Sequence, residues 1–104
     1  MSPAWAKRGG WSLYFYFSEP HQVPHVAVRA GDERASIRIS DGEVLAGHLQ
    51  PKVLREVRAL LATHRDLATE AFLTTAASDF PGTLEDMLKR ARPYADSEEV
   101  HDDE

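Results

Sequence analysis

The chain has 104 residues, 42% apolar and 28% charged, with no cysteine. That is the length and balance of one globular domain, and it excludes disulfide scaffolds, thiolate metal sites and cysteine nucleophiles. The net charge of −5 is uneven: residues 1–94 hold 12 Lys/Arg and 11 Asp/Glu, while 95–104 hold six acids and no Lys or Arg.

No apolar run approaches the ~20 residues of a membrane span. The first ten residues lack the apolar stretch of a signal peptide. A soluble, cytoplasmic protein is expected, and a chain without cysteine fits a reducing compartment.

In chain order, residues 1–10 read as a flexible arm ending in Gly9-Gly10. WSLYFYFS, residues 11–18, reads as a strand because it is aromatic and unbroken. Trp11, Leu13, Phe15 and Phe17 share its apolar face; Ser12, Tyr14, Tyr16 and Ser18 share the other. A proline-punctuated loop, 19–24, leads to a second strand at 25–30 and a third at 34–40. Gly31-Asp32 suits a two-residue hairpin turn, as does Asp41-Gly42 before Glu43-Val44-Leu45-Ala46. These turns place Val28 opposite Ala35, Val26 opposite Ile37 and Ile39 opposite Val44, all on one face. A slip of one residue would turn that apolar set outward.

Pro51 then opens a helix. Val53, Leu54, Val57, Leu60, Leu61 and His64 recur at helical spacing, with Lys52, Arg55, Ala59 and Ala62 opposite. Asp66 is placed to cap a second helix carrying Leu67, Ala71 and Phe72. Phe80-Pro81-Gly82 breaks the chain. Thr83 with Asp86 resembles a capping box for a third, short helix carrying Leu84, Met87, Leu88 and Ala91, stopped by Pro93. The expected architecture is α+β: an antiparallel three- to four-stranded β-meander followed by two to three α-helices packed on one face. One domain spans 11–94. Residues 95–104 form an acidic tail too polar to bury, either a solubilising end or a competitor for a basic patch.

The same register gathers Tyr14, Tyr16, His25, Ala27, Arg29, Arg34, Ser36 and Arg38 on the outer sheet face. Arg29 falls opposite Arg34, and His25 opposite Arg38. Like charges paired across strands cost stability, and nothing in the fold requires them. Tyrosines, a histidine and arginines together suit stacked bases and phosphates. Tyrosine and arginine also populate ordinary solvated strands, with Asp32, Glu33 or Glu43 available as partners.

No phosphate-binding loop, HExxH or GxSxG motif is present, and no motif implies a cofactor. His21 and His25 are spaced to share a metal, without carboxylate or cysteine support nearby. His25 beside Arg38 is the best pair for a general base in RNA cleavage. His64 lies in the apolar stripe of its helix and reads as a packed residue.

At HQVPHVAV, residues 21–28, preceded by the aromatic strand, the chain resembles a family of small bacterial proteins known as a domain of unknown function, number forty-one-sixty. Pro24 and His25, then Gly42-Glu43-Val44-Leu45, then His64-Arg65-Asp66 carry the resemblance, which covers about residues 10–73. Two positions depart from it: a second motif histidine is Ala27 here, and the tryptophan of the last helix is Phe72. If relatives bind metal through both histidines, this chain has lost a ligand. The resemblance implies a second small protein encoded alongside, in a toxin–antitoxin arrangement.

The expected function is therefore a non-enzymatic interaction module that binds a protein partner. The alternatives are an RNA-binding protein or ribonuclease using Tyr14, Tyr16, His25, Arg29, Arg34 and Arg38, and a metal-binding protein using His21 and His25. An exposed edge strand offers a route to dimers.

Overall fold

The computed structural model describes residues 4–16 and 23–91. Five antiparallel strands lie in the order β1 (Ala6–Arg8), β2 (Trp11–Tyr14), β3 (His25–Ala30), β4 (Glu33–Arg38) and β5 (Val44–Gly47). Helices α1 (Pro51–Thr63) and α2 (Arg65–Ala76) follow. A third helix, α3, runs over 84–91. The fold is the expected α+β meander with one more strand than the sequence reading counted.

The extra strand is β1, inside the segment read as a flexible arm. It is fixed by burial at its head. Trp5 and Ala6 are each 2% exposed. The Trp5 ring meets Phe15 edge-on, centroids 5.2 Å apart, and its Nε1–H points to Met87 Sδ at 3.3 Å. Gly9-Gly10 is the turn that brings Arg8 opposite Trp11. Two consecutive glycines suit a two-residue hairpin, because such turns need positive φ; Gly10 stands at φ 94°.

Strands β3 and β4 pair as the turn at Gly31-Asp32 dictates, with Val28 on Ala35, Val26 on Ile37, Arg29 on Arg34 and His25 on Arg38. Gly31 takes φ 60°, and Asp32 has no positive φ. That is the type II′ pattern, whose twist matches the flanking strands.

The second hairpin differs from expectation. Ile37, not Ile39, faces Val44. The Asp41 side chain is the reason. Its Oδ1 accepts the Glu43 N–H at 3.0 Å, while Gly42 N–H donates to the Arg38 carbonyl at 2.8 Å. These local bonds widen the turn to residues 39–42. The shift is two residues, so apolar side chains keep their face. A bulge then follows: Ser36 faces Ala46 and Ala35 faces Gly47.

The inner face is covered by the helices. Leu13, Val26, Ile37, Ile39, Val57, Leu61 and Leu84 are at most 1% exposed and belong to one cluster. Val57, Leu60 and Leu61 are the buried stripe of α1, and Lys52, Arg55, Ala59 and Ala62 are exposed, as the periodicity predicts. Three polar ties fasten helices to sheet: Trp11 Nε1–H to Glu56 (2.9 Å), Arg58 Nε–H to the Gly42 carbonyl (2.8 Å) and Arg65 Nε–H to the Ile39 carbonyl (3.2 Å).

Asp66 does not cap α2. His64 holds that position without a side-chain cap bond, and Asp66 sits in the first turn. The Thr83–Asp86 box does form. Thr83 N–H donates to Asp86 Oδ2 (3.0 Å), and Asp86 N–H donates to Thr83 Oγ1 (3.1 Å). The bond from the Thr83 N–H, with the Thr83 side chain second, holds the Asp86 carboxyl below its usual range. Pro93 and the acidic segment 95–104 lie outside the described residues. Among the described residues, no helix is long and apolar enough to cross a membrane.

Gly47 lets β5 approach β4. It stands at φ 84°, and a Cβ there would fall 2.1 Å from the Arg34 carbonyl oxygen. At Gly31 the φ is also positive but a Cβ would meet nothing within 4 Å. Gly31→Ala should therefore cost about 1–3 kcal/mol, the backbone penalty of positive φ alone. Gly47→Ala should cost clearly more, because backbone must also move. Urea unfolding of both variants checks the order; equal losses would contradict it.

Candidate nucleic-acid interface on the outer sheet face

Directly opposed residues share a face, so the pairings define rows across the sheet. One row runs Lys7–Ser12–Arg29–Arg34. The next runs Tyr14–Ala27–Ser36–Ala46. Lys7 is new to this face. Sequence reading missed it because it missed β1, although Gly9-Gly10 flanked by strand-like residues is itself a hairpin signal.

Lys7, Arg29 and Arg34 are all exposed. Among the described residues none of the three has an ion pair or a side-chain hydrogen bond. Of the nearby acids, Glu33 and Glu43 are engaged elsewhere. Glu33 Oε1 accepts the Gln50 N–H at 2.9 Å, at the start of α1, and its other oxygen lies 3.5 Å from His48 Nε2. A carboxylate is favoured there by the positive end of the helix.

Arg38 is different. Its Nε and Nη2 donate to the two Asp41 oxygens at 3.0 Å each, and Nη2 also reaches Glu43 Oε1. The hydrogen bond from Arg38 is the main reason the Asp41 carboxyl titrates below its usual range, and the same bond raises the Arg38 value. The turn acids thus neutralise Arg38, which strand parity alone groups with Arg29 and Arg34.

His25 is also committed. Its ring lies against Phe72 of α2, centroids 5.3 Å apart. Its Nδ1 is 2.8 Å from the Val23 carbonyl oxygen, which can only accept, so Nδ1 carries the proton. His25 and Arg38 are opposed in register, yet each side chain serves another contact. His21 lies outside the described residues. Among those described, no group of three or more His, Asp or Glu is placed to hold a metal.

The Tyr14 and Tyr16 rings are stacked, centroids 6.0 Å apart and 9° from parallel, with Tyr16 51% exposed. Beside them the small residues Ala27, Ser36 and Ala46 leave an open recess of about 270 Å³, rimmed by Tyr16, Arg29 and Arg34. The face therefore joins three unneutralised cations to a shallow trough edged by the Tyr16 ring.

The family model described as a domain of unknown function (DUF4160) matches residues 10–72, well over half of the chain. The chain belongs to that family. No curated protein and no solved structure matches it significantly.

The Arg38–Asp41 pair carries a pH signature. A carboxyl whose pKa is lowered by folding stabilises fully above its unfolded value, about 4, and loses that contribution as pH falls through the lowered value. Asp41→Asn removes this group. Its unfolding midpoint should fall less than that of the wild type as pH drops below about 4; parallel acid limbs in chemical denaturation would contradict the assignment.

Proposed function

We propose that this DUF4160 member is a non-enzymatic binding module whose outer sheet face takes single-stranded nucleic acid, RNA in the first instance. One observation carries the reading: the row Lys7–Ser12–Arg29–Arg34 sets like charges side by side without carboxylate partners among the described residues. Folding gains nothing from opposing Arg29 and Arg34. Phosphates would remove the repulsion and release counterions. Open antiparallel sheets with exposed aromatics are a recurring platform for single strands, where bases stack and the backbone follows a basic track.

Binding is better supported than cleavage. A general base must reach the proton it removes, and the His25 ring is held by Phe72 and the Val23 carbonyl. Metal binding through His21 and His25 gains no support from the described residues. A protein partner is the second reading, favoured by β5, which is an edge of the sheet and exposes Leu45. Edge strands recruit partner strands, and a neighbouring gene product in a toxin–antitoxin pair would be such a partner. Leu45→Lys should then abolish co-elution with that product in gel filtration.

For the first reading, the full chain is titrated into a fluorescein-labelled single-stranded RNA of about 12 nucleotides, within the ~4–16 spanned by small single-strand-binding sheets. Affinity should fall with salt. Arg29→Ala with Arg34→Ala should flatten the log–log salt slope by about 0.7 per lost phosphate contact. Arg38→Ala should leave both affinity and slope nearly unchanged, because that cation is already neutralised. Wild-type affinity in the Arg29/Arg34 double variant would sink the proposal.

A further inference from the structure

The recess next to the basic row is shaped by three small side chains in three adjacent strands. Ala27, Ser36 and Ala46 face one another across β3, β4 and β5. Neighbouring strands are about 4.8 Å apart, so this floor is about 10 Å long. Its walls are taller: the Tyr16 ring, backed by the stacked Tyr14, on one side, Arg29 and Arg34 on the other.

The floor stays open because of the bulge in β5. Ile37 faces Val44, so an uninterrupted ladder would set Leu45 opposite Ser36. The register instead shifts at this point, and Ala46 stands there. A branched four-carbon side chain is thereby replaced by a methyl group. The chain pays nothing in core packing for this, since Val44 still packs on the core. Ser36 contributes the one hydroxyl of the floor, able both to donate and to accept.

We infer that this recess is a single-base subsite: one nucleobase lies over Ala27, Ser36 and Ala46, and the phosphates flanking it contact Arg29 and Arg34. The inference rests on the nucleic-acid reading above and specifies where a base is held. The size fits a planar ring system, the apolar floor receives a ring face, and the arginine rim complements a phosphodiester. An acidic peptide would satisfy the arginines and leave the trough unfilled. The subsite accepts either base class, because a single hydroxyl cannot read a Watson–Crick edge.

The test fills the recess without touching the cations. Ala27→Leu raises the floor from β3 and Ala46→Leu from β5; Ala46 is exposed, so the second variant has little bearing on folding. Each should weaken binding of the labelled RNA about tenfold, the size of one lost base stack, with the salt slope unchanged. An abasic oligonucleotide of equal length should bind the wild type about as weakly and be insensitive to either substitution. Wild-type affinity in both leucine variants, alongside loss of binding in the Arg29/Arg34 variant, overturns the subsite and leaves the basic face standing. Equal binding of abasic and normal strands by the wild type also overturns it. Failure of the wild type to bind RNA, or displacement of RNA by polyglutamate as readily as by unlabelled RNA, overturns the nucleic-acid reading and the subsite together.

Discussion

The two-residue turn at Gly31-Asp32 is the constraint from which both sides of the sheet follow. Closing Ala30 on Glu33 decides every pair down the β3–β4 hairpin. Val26, Val28, Ala35 and Ile37 then point inward, none more than 6% exposed. Arg29, Arg34, Ala27 and Ser36 necessarily point outward. A slip by one residue would bury arginines and expose the core, at a cost far beyond the whole stability of a small domain. Core and outer face are thus one choice of register, and the second is rigid because the first is packed.

The hairpin treats charge differently at its two ends. Near the β4–β5 turn, Arg38 is answered by Asp41 and Glu43. Near the Gly31 end, Glu33 is spent on the start of α1 and on His48, and Arg29 and Arg34 stay exposed. Exposed pairs such as these contribute little to stability in water. The asymmetry is therefore weakly constrained by folding. Local charge matters here more than the net value, since residues 1–94 are close to neutral and the acids are concentrated at 95–104.

Much of this was legible from residues alone, for identifiable reasons. The β3–β4 register could be read because a glycine turn and two alternating apolar patterns agree. The stripe of α1 and the Thr83–Asp86 box depend on contacts within one or two helical turns, which spacing reveals. Strand β1 was hidden because its three residues are too few for alternation to show. Its stability comes from Trp5 meeting Phe15 and Met87, partners 10 and 82 residues away. The same distance effect concealed His25: strand parity places it outside, but its ring turns to Phe72 on a helix 47 residues on. Tertiary packing decided where sequence parity could only propose.

The β4–β5 connection shows how a local competition reaches the candidate site. Asp41-Gly42 is a strong two-residue turn signal, yet the Asp41 carboxylate binds Arg38 and the Glu43 N–H, and the turn opens to four residues. The displaced ladder pairs Ile37 with Val44, and the close approach at Gly47 fixes Ala35 beside it. Between these two anchors β5 carries one residue more than β4, and that surplus is the bulge at Leu45. The bulge puts Ala46 opposite Ser36 and keeps the floor of the trough low. On the other side Ala27 presents only a methyl group to the recess, and a larger side chain there would occupy the same space. Two independent features, a turn carboxylate acting through register and a small residue in β3, therefore leave the same volume empty beside the same two arginines.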